Sequence, residues 1–198
     1  MPSENPFRIA LVIVIVLTMA VTVFHRLQAA ASGEKITHKD EGYLFATVLR
    51  LAGLFLWIAT FAYLVFPSSV QWASMPLHST VRWVGVVMGA GCSMLMYWTL
   101  SSLGKNLTDT VVTRAEATLV THGPYHWVRH PFYVTAALLM ASVMLLTANW
   151  LIGLSSLVVL SLLAVRTPKE EQMLIERFGD QYRDYMARTG RFFPRFQK

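Results

Sequence analysis

Charge is scarce in this chain. Of 198 residues, 14% are Asp, Glu, Lys or Arg, while 55% are hydrophobic. A soluble domain carries about a quarter charged residues, so one water-soluble core is excluded and lipid is the expected solvent. Cysteine is nearly absent too. Cys92 stands alone inside an apolar run, which rules out an internal disulfide and leaves the compartment open. An apolar setting also argues against a reactive thiol there. There is no internal repeat, no low-complexity stretch, no G-x-G-x-x-G fingerprint, and no Ser-His-Asp or Cys-His arrangement. The net charge of +6 is not gathered into one stripe. The basic residues lie in loops and the tail, which points to membrane orientation and anionic lipid rather than nucleic acid.

What is present is a series of apolar runs. Residues 9–24 follow Arg8 and read as a retained span rather than a cleaved leader. His25, Arg26 and Gln28 interrupt the approach to Ala29-Ala30-Ala31-Ser32. A charged loop precedes a second span over about 44–66, ended by Pro67. The third, about 81–100, contains Gly85, Gly89 and Gly91, which would let a neighbouring backbone approach closely. After a long polar loop from Ser101 to Arg129, two further runs, 131–148 and 150–166, are separated only by Asn149 and predict a tight helical hairpin. Both are short for a full crossing. The expected fold is an all-α integral membrane protein of about five transmembrane helices with a C-terminal amphipathic helical segment, forming a single domain over 1–198.

Lys and Arg set the orientation. Arg8 flanks the first span and the loop after the second has none. The other side holds Arg26, Lys35, Lys39, Lys105, Arg114, Arg129 and eight basic residues from Arg166 onward. The N-terminus is therefore expected outside, with the long loop and the tail together in the cytoplasm.

Two clusters carry candidate chemistry. In the first, Gly123-Pro124 marks a turn. Pro131 pushes His130 out of helical geometry and starts the fourth helix, whose unpaired N–H groups favour anionic ligand groups. Tyr125, Trp127 and Tyr133 offer aromatic faces. The same composition also fits an interfacial aromatic belt. His122, His126 and His130, spaced four and four on a segment broken by Pro and Gly, match no metal motif, so no metal is expected. In the second cluster, Thr167-Pro168-Lys169-Glu170 has the form of a capping box. Arg166 ends an apolar run, where an arginine can simply snorkel. Beyond it Leu174, Phe178, Tyr182 and Tyr185 form an amphipathic stripe, broken at Gly179, with Asp180 expected to cap the next helix.

Leu119-Val120, Gly123-Pro124-Tyr125, Arg129-His130-Pro131, Tyr133, Arg166, Glu170-Glu171, Phe178-Gly179, Tyr182, Tyr185 and Pro194 together resemble the isoprenylcysteine carboxyl methyltransferase family. This is a group of membrane methyltransferases related to the phospholipid N-methyltransferases. The stretch from Arg166 to Pro194 looks most like the short prokaryotic members. The resemblance runs from Leu103 to Pro194. It implies S-adenosyl-L-methionine as cofactor and a lipophilic or prenylated methyl acceptor, with cofactor-site segments at about 103–133 and 166–194. It implies cofactor contacts at Leu119, Val120, Tyr125, His130, Pro131, Tyr133 and Glu170, and an acceptor-holding role for Arg166. Many members have a histidine where this chain has Ala117. That contact is either absent here or supplied by another residue such as His122.

The chemistry is compatible. A free α-carboxyl, with a pKa of about 3.5, is already ionised near neutrality, so methylation of a carboxylate needs no general base. It needs position and a water-poor site, and an arginine fork fixes a carboxylate with two bonds. The rival readings are amine or phospholipid N-methylation, methylation of a small thiol, a nicotinamide-dependent membrane reductase, and a non-catalytic membrane protein with a degenerate pocket.

Overall fold

The computed structural model describes residues 4–30, 43–104 and 118–195. Six α-helices account for most of them: α1 (Asn5–Ala30), α2 (Tyr43–Val65), α3 (Ser79–Leu103), α4 (Pro131–Thr147), α5 (Trp150–Phe178) and α6 (Asp180–Arg188). Helices α1, α2, α3 and α5 are long and apolar enough to cross a membrane. Their outward faces expose Ile9, Ile13 and Val16 on α1, Leu51, Leu54 and Ile58 on α2, and Val87 and Met94 on α3. Apolar surface of that extent needs lipid as its solvent, and the chain is an integral membrane protein.

Helix α4 is the short one. Its 17 residues reach about 26 Å at 1.5 Å each, less than the ~30 Å hydrocarbon core. It does not have to reach the headgroups by itself, because it packs against α3, α5 and α1 and protein covers its far end. Ala148 turns the chain in a left-handed conformation. Asn149 then caps α5, accepting the N–H groups of Leu151 and Ile152 at 3.1 and 3.2 Å. Its Nδ2 donates to the Val70 carbonyl at 3.0 Å, and Met75 N–H donates to the Ala148 carbonyl at 2.6 Å. Two short 3-10 turns, Pro67–Ser69 and Gln71–Ala73, thereby fold over the α4–α5 tip.

Two of the three glycines expected to permit close approach do so. A Cβ on Gly85 would stand 2.8 Å from Leu145 Cβ, and one on Gly89 would stand 2.7 Å from Ser142 Oγ and 2.8 Å from Val14. Gly91 has nothing within 4 Å of that position, so it lies off the packing stripe.

The same end of the bundle holds a polar tie to which the sequence reading gave no role. Arg82, 4% exposed in the first turns of α3, grips Glu4 with two bonds of 2.7 and 2.8 Å. Its Nη2 also donates to the Leu146 carbonyl at 2.7 Å, and the Phe7 ring lies 3.9 Å from its guanidinium carbon. Tyr63 Oη donates to Glu4 at 3.0 Å. One arginine thus joins α2, α3, α4 and the start of α1.

Helix α5 departs from expectation. It runs unbroken through Pro168, so Thr167 is not an N-cap. The Thr167 hydroxyl donates to the Leu163 carbonyl at 2.9 Å, four residues back. Proline's φ is compatible with a helix, and the one lost backbone bond is tolerable where the helix leaves the apolar layer. Gly179 does end α5, at φ +57, but it also occupies the cap position of α6, whose first residue is Asp180. The Asp180 side chain accepts from Arg183 instead.

Candidate active site

The opposite end of the bundle gathers the start of α4, the second half of α5, α6 and the chain that follows it. Pro131 is the first residue of α4, and His130, at φ −121 and ψ 60, stands outside helical geometry before it, as a residue preceding proline must. The chain after α6 runs beside this entry. Arg129 N–H donates to the Gly190 carbonyl at 2.8 Å, and His130 N–H to the Arg191 carbonyl at 3.1 Å.

Glu171 is the hub. Its carboxylate is buried. Oε1 accepts from Arg129 Nε at 2.9 Å and lies 3.3 Å from His130 Nε2, while Oε2 accepts from Arg191. Arg129 Nη1 also reaches the Met186 and Thr189 carbonyls. Three cationic or ring N–H partners around one buried carboxylate fasten α5, the α4 entry and the tail to each other, an arrangement that offsets the large cost of burying that charge.

Beside this hub, Tyr133 Oη donates to Glu170 Oε2 at 2.7 Å. The His130 and Tyr133 rings are parallel to within 7°, with centroids 5.5 Å apart. Arg166 lies one helical turn before Glu170, and because α5 is continuous the two share a face. Both are half-buried. Tyr125 is buried in a 3-10 turn, Gly123–His126, and its carbonyl accepts from Tyr185 Oη at 2.5 Å. Burial raises the phenol pKa of Tyr125, Tyr182 and Tyr185; nearby carboxylate charge adds to this for Tyr125 and Tyr182, and Arg129 opposes it for Tyr182 and Tyr185. All three phenols remain neutral at ordinary pH, and Tyr185 is a donor, to the Tyr125 carbonyl.

Tyr133 therefore joins His130 to Glu170, Pro131 is buried at the α4 start, and Arg166 lies on the same face of α5 as Glu170. Leu119 and Val120 lie half-buried in the irregular stretch before the 3-10 turn. His122 and His126 are exposed. Ala117 lies outside the described residues. His130 presents Nε2 to Glu171 and its ring to Tyr133. The sequence reading placed Glu171 in its second cluster, Tyr182 and Tyr185 in an amphipathic stripe and Arg129 among the orienting cations, but gave none of the four a site contact. Arg191 carried no signal, because its partner is 20 residues away on another helix.

Comparison with known proteins bears on this same region. Residues 83–176 match the model of the isoprenylcysteine carboxyl methyltransferase (ICMT) family. The match begins 20 residues before the earliest residue of the motif resemblance and stops before Gly179. A protein-S-isoprenylcysteine O-methyltransferase of Dictyostelium discoideum is 24% identical over 83% of this chain and 65% of its own length. The human protein of that name is 28% identical over 64% of this chain and 45% of its own length. This chain thus spans less than two thirds of those relatives. The solved structure of a eukaryotic intramembrane Ras methyltransferase, ICMT, superposes with a TM-score of 0.60 at 24% identity, covering 93% of this chain and 67% of that one. The fold is shared, and over residues 83–176, just under half its length, this chain carries the segment by which the isoprenylcysteine carboxyl methyltransferase family is recognised.

Proposed function

We propose that this protein transfers a methyl group from S-adenosyl-L-methionine to the carboxylate of a prenylated cysteine at the membrane surface. The observation that carries this reading is the 2.7 Å Tyr133–Glu170 bond with Arg166 one turn earlier on the same helix. The residues fit the cofactor: a half-buried carboxylate and stacked aromatic faces suit a sulfonium and an adenine, and N–H groups at the α4 start suit an anionic group. When bound, the cofactor supplies an electrophilic methyl. Tyr125, His130, Tyr133 and Glu170, with Leu119 and Val120, orient it. Arg166 holds the acceptor carboxylate in line, and the helices keep water away. No residue has to take a proton, because the acceptor arrives ionised.

The accompanying orientation places the N-terminus outside and the site in the cytoplasm. Arg8 and Arg82, the latter neutralised by Glu4, mark the outer end, and the basic tail marks the inner one. The test is incubation with methyl-labelled cofactor and, in parallel, a prenylcysteine analogue, phosphatidylethanolamine and a small thiol. Base-labile label on the prenylcysteine is expected. Base-stable label on the lipid amine would replace this reading with N-methylation.

A further inference from the structure

Beyond the α6 helix the chain ends its described course as Gly190-Arg191-Phe192-Phe193-Pro194-Arg195. Its depth is set by hydrogen bonds. Gly190 and Arg191 pair with Arg129 and His130, the two residues before Pro131 starts an apolar, bundle-packed helix. This strap therefore lies at the level where the chain enters the membrane. Its two phenylalanines face opposite ways. Phe192 packs on His130, centroids 5.9 Å apart, while Phe193 is 82% exposed. Arg191 and Arg195, both exposed, flank it. Arg191 is held by Glu171, and Arg195 Nη1 is held by the Ala187 carbonyl at 3.0 Å.

We propose that residues 190–195 are an interfacial anchor that docks on an anionic membrane surface, with Phe193 inserted at the headgroup–acyl boundary and Arg195 on lipid phosphates. An exposed aromatic between cations at interface depth is the chemistry of a monotopic anchor, and basic residues near an anionic surface add attraction. Water is a poor partner for Phe193, whereas acyl chains are within reach in a protein that already spans the bilayer. Docking also presses Phe192 and Arg191 against His130 and Glu171.

The test is optical and independent of any activity, so it can fail while the methyltransferase reading stands. An environment-sensitive fluorophore is attached at Phe193→Cys, and separately at exposed Gln181→Cys on α6, both in a Cys92→Ser background. The proteins are placed in nanodiscs of phosphatidylcholine with or without phosphatidylserine. The label at 193 should be quenched by a nitroxide carried on lipid and shielded several-fold from acrylamide, relative to 181. Phosphatidylserine should deepen both effects. Arg195→Gln should lower the docked-to-undocked ratio about fivefold, the equivalent of ~1 kcal/mol per basic residue. Equal acrylamide access at 193 and 181 overturns the proposal. So does shielding at 193 without quenching from lipid, because protein then covers the residue. Docking that ignores phosphatidylserine overturns the anionic preference.

Discussion

The two ends of this bundle are each held by a carboxylate and guanidinium groups, yet they differ in which charge sits at the centre. At the Glu4 end the cation is inside: the Arg82 side chain is 5% exposed and its partner Glu4 44%. At the site end the anion is central: the Glu171 side chain is 4% exposed, with Arg129 at 9% and Arg191 at 41% around it. The Arg82 tie links helices through one planar fork. The Glu171 hub sets a carboxylate at the centre and arranges Arg129, His130 and Arg191 around it, so that the α4 entry and the tail become one wall beside Glu170. A buried anion thus organises the end with the candidate site, and a buried cation staples the other.

The difference predicts unequal losses. Glu171→Gln strips a buried hub of its charge, and breaking a buried pair costs ~3–5 kcal/mol. Glu4→Gln leaves Arg82 its bonds to Leu146 and Tyr63 and affects a partly exposed pair, worth about 1 kcal/mol or less. Thermal unfolding of the purified proteins in one detergent compares them directly. Equal losses would break the contrast between the ends.

Arg166 sharpens the contrast in function. Arg166→Lys keeps the charge but not the fork. Losing one charge-assisted bond is worth ~1.5–3 kcal/mol, so methyl transfer should fall about 10- to 150-fold while S-adenosylhomocysteine affinity stays near wild type. An arginine that only snorkels would tolerate lysine. Near-normal turnover in a folded, cofactor-binding preparation would remove Arg166 from the site.

These residues also measure what the sequence made legible. The spans were readable because lipid demands unbroken apolar runs, and the start of α4 at Pro131 because proline constrains its neighbours locally. Thr167-Pro168 misled for the complementary reason. A capping signature is local, whereas the continuity of α5 was decided by the packing of its two halves. Tyr133 and Glu170 were named separately, but their bond depends on how α4 meets α5. The Glu171 hub and the Glu4–Arg82 tie join residues 42 and 78 positions apart. Such pairings have no signature in spacing.

A subtler substitution tests whether the wall and the site are separable. Tyr133→Phe keeps the stack on His130 but removes the bond to Glu170. It leaves the Glu171 hub intact, so the melting temperature should move little. Cofactor affinity should fall about tenfold, the lower end for a hydrogen bond to a charged group. Calorimetric titration with S-adenosylhomocysteine reads it. A large loss of stability with normal affinity would make Tyr133 part of the scaffold.

The smallest effect belongs to the Glu4–Arg82 end and depends on pH. The hydrogen bond from Arg82 is the chief reason the Glu4 carboxyl sits below its ordinary pKa. Burial opposes it, and Tyr63 with the charges of Arg82 and Arg8 assists it. A depressed folded pKa means the unfolded chain takes up the proton first as pH falls. The stabilisation is therefore fully present above the ordinary glutamate pKa of about 4.3 and is lost as pH drops through the lower folded value. Because Glu4 is partly exposed, the amount is about 1 kcal/mol or less. The measurement is the difference in melting temperature between wild type and Glu4→Gln, followed from neutral pH downward. The gap should hold above pH ~5 and close as Glu4 itself becomes protonated, because a protonated glutamate and a glutamine are then nearly equivalent partners for Arg82. A gap that persisted unchanged in acid would mean that side-chain shape, rather than charge, holds the Glu4–Arg82 tie.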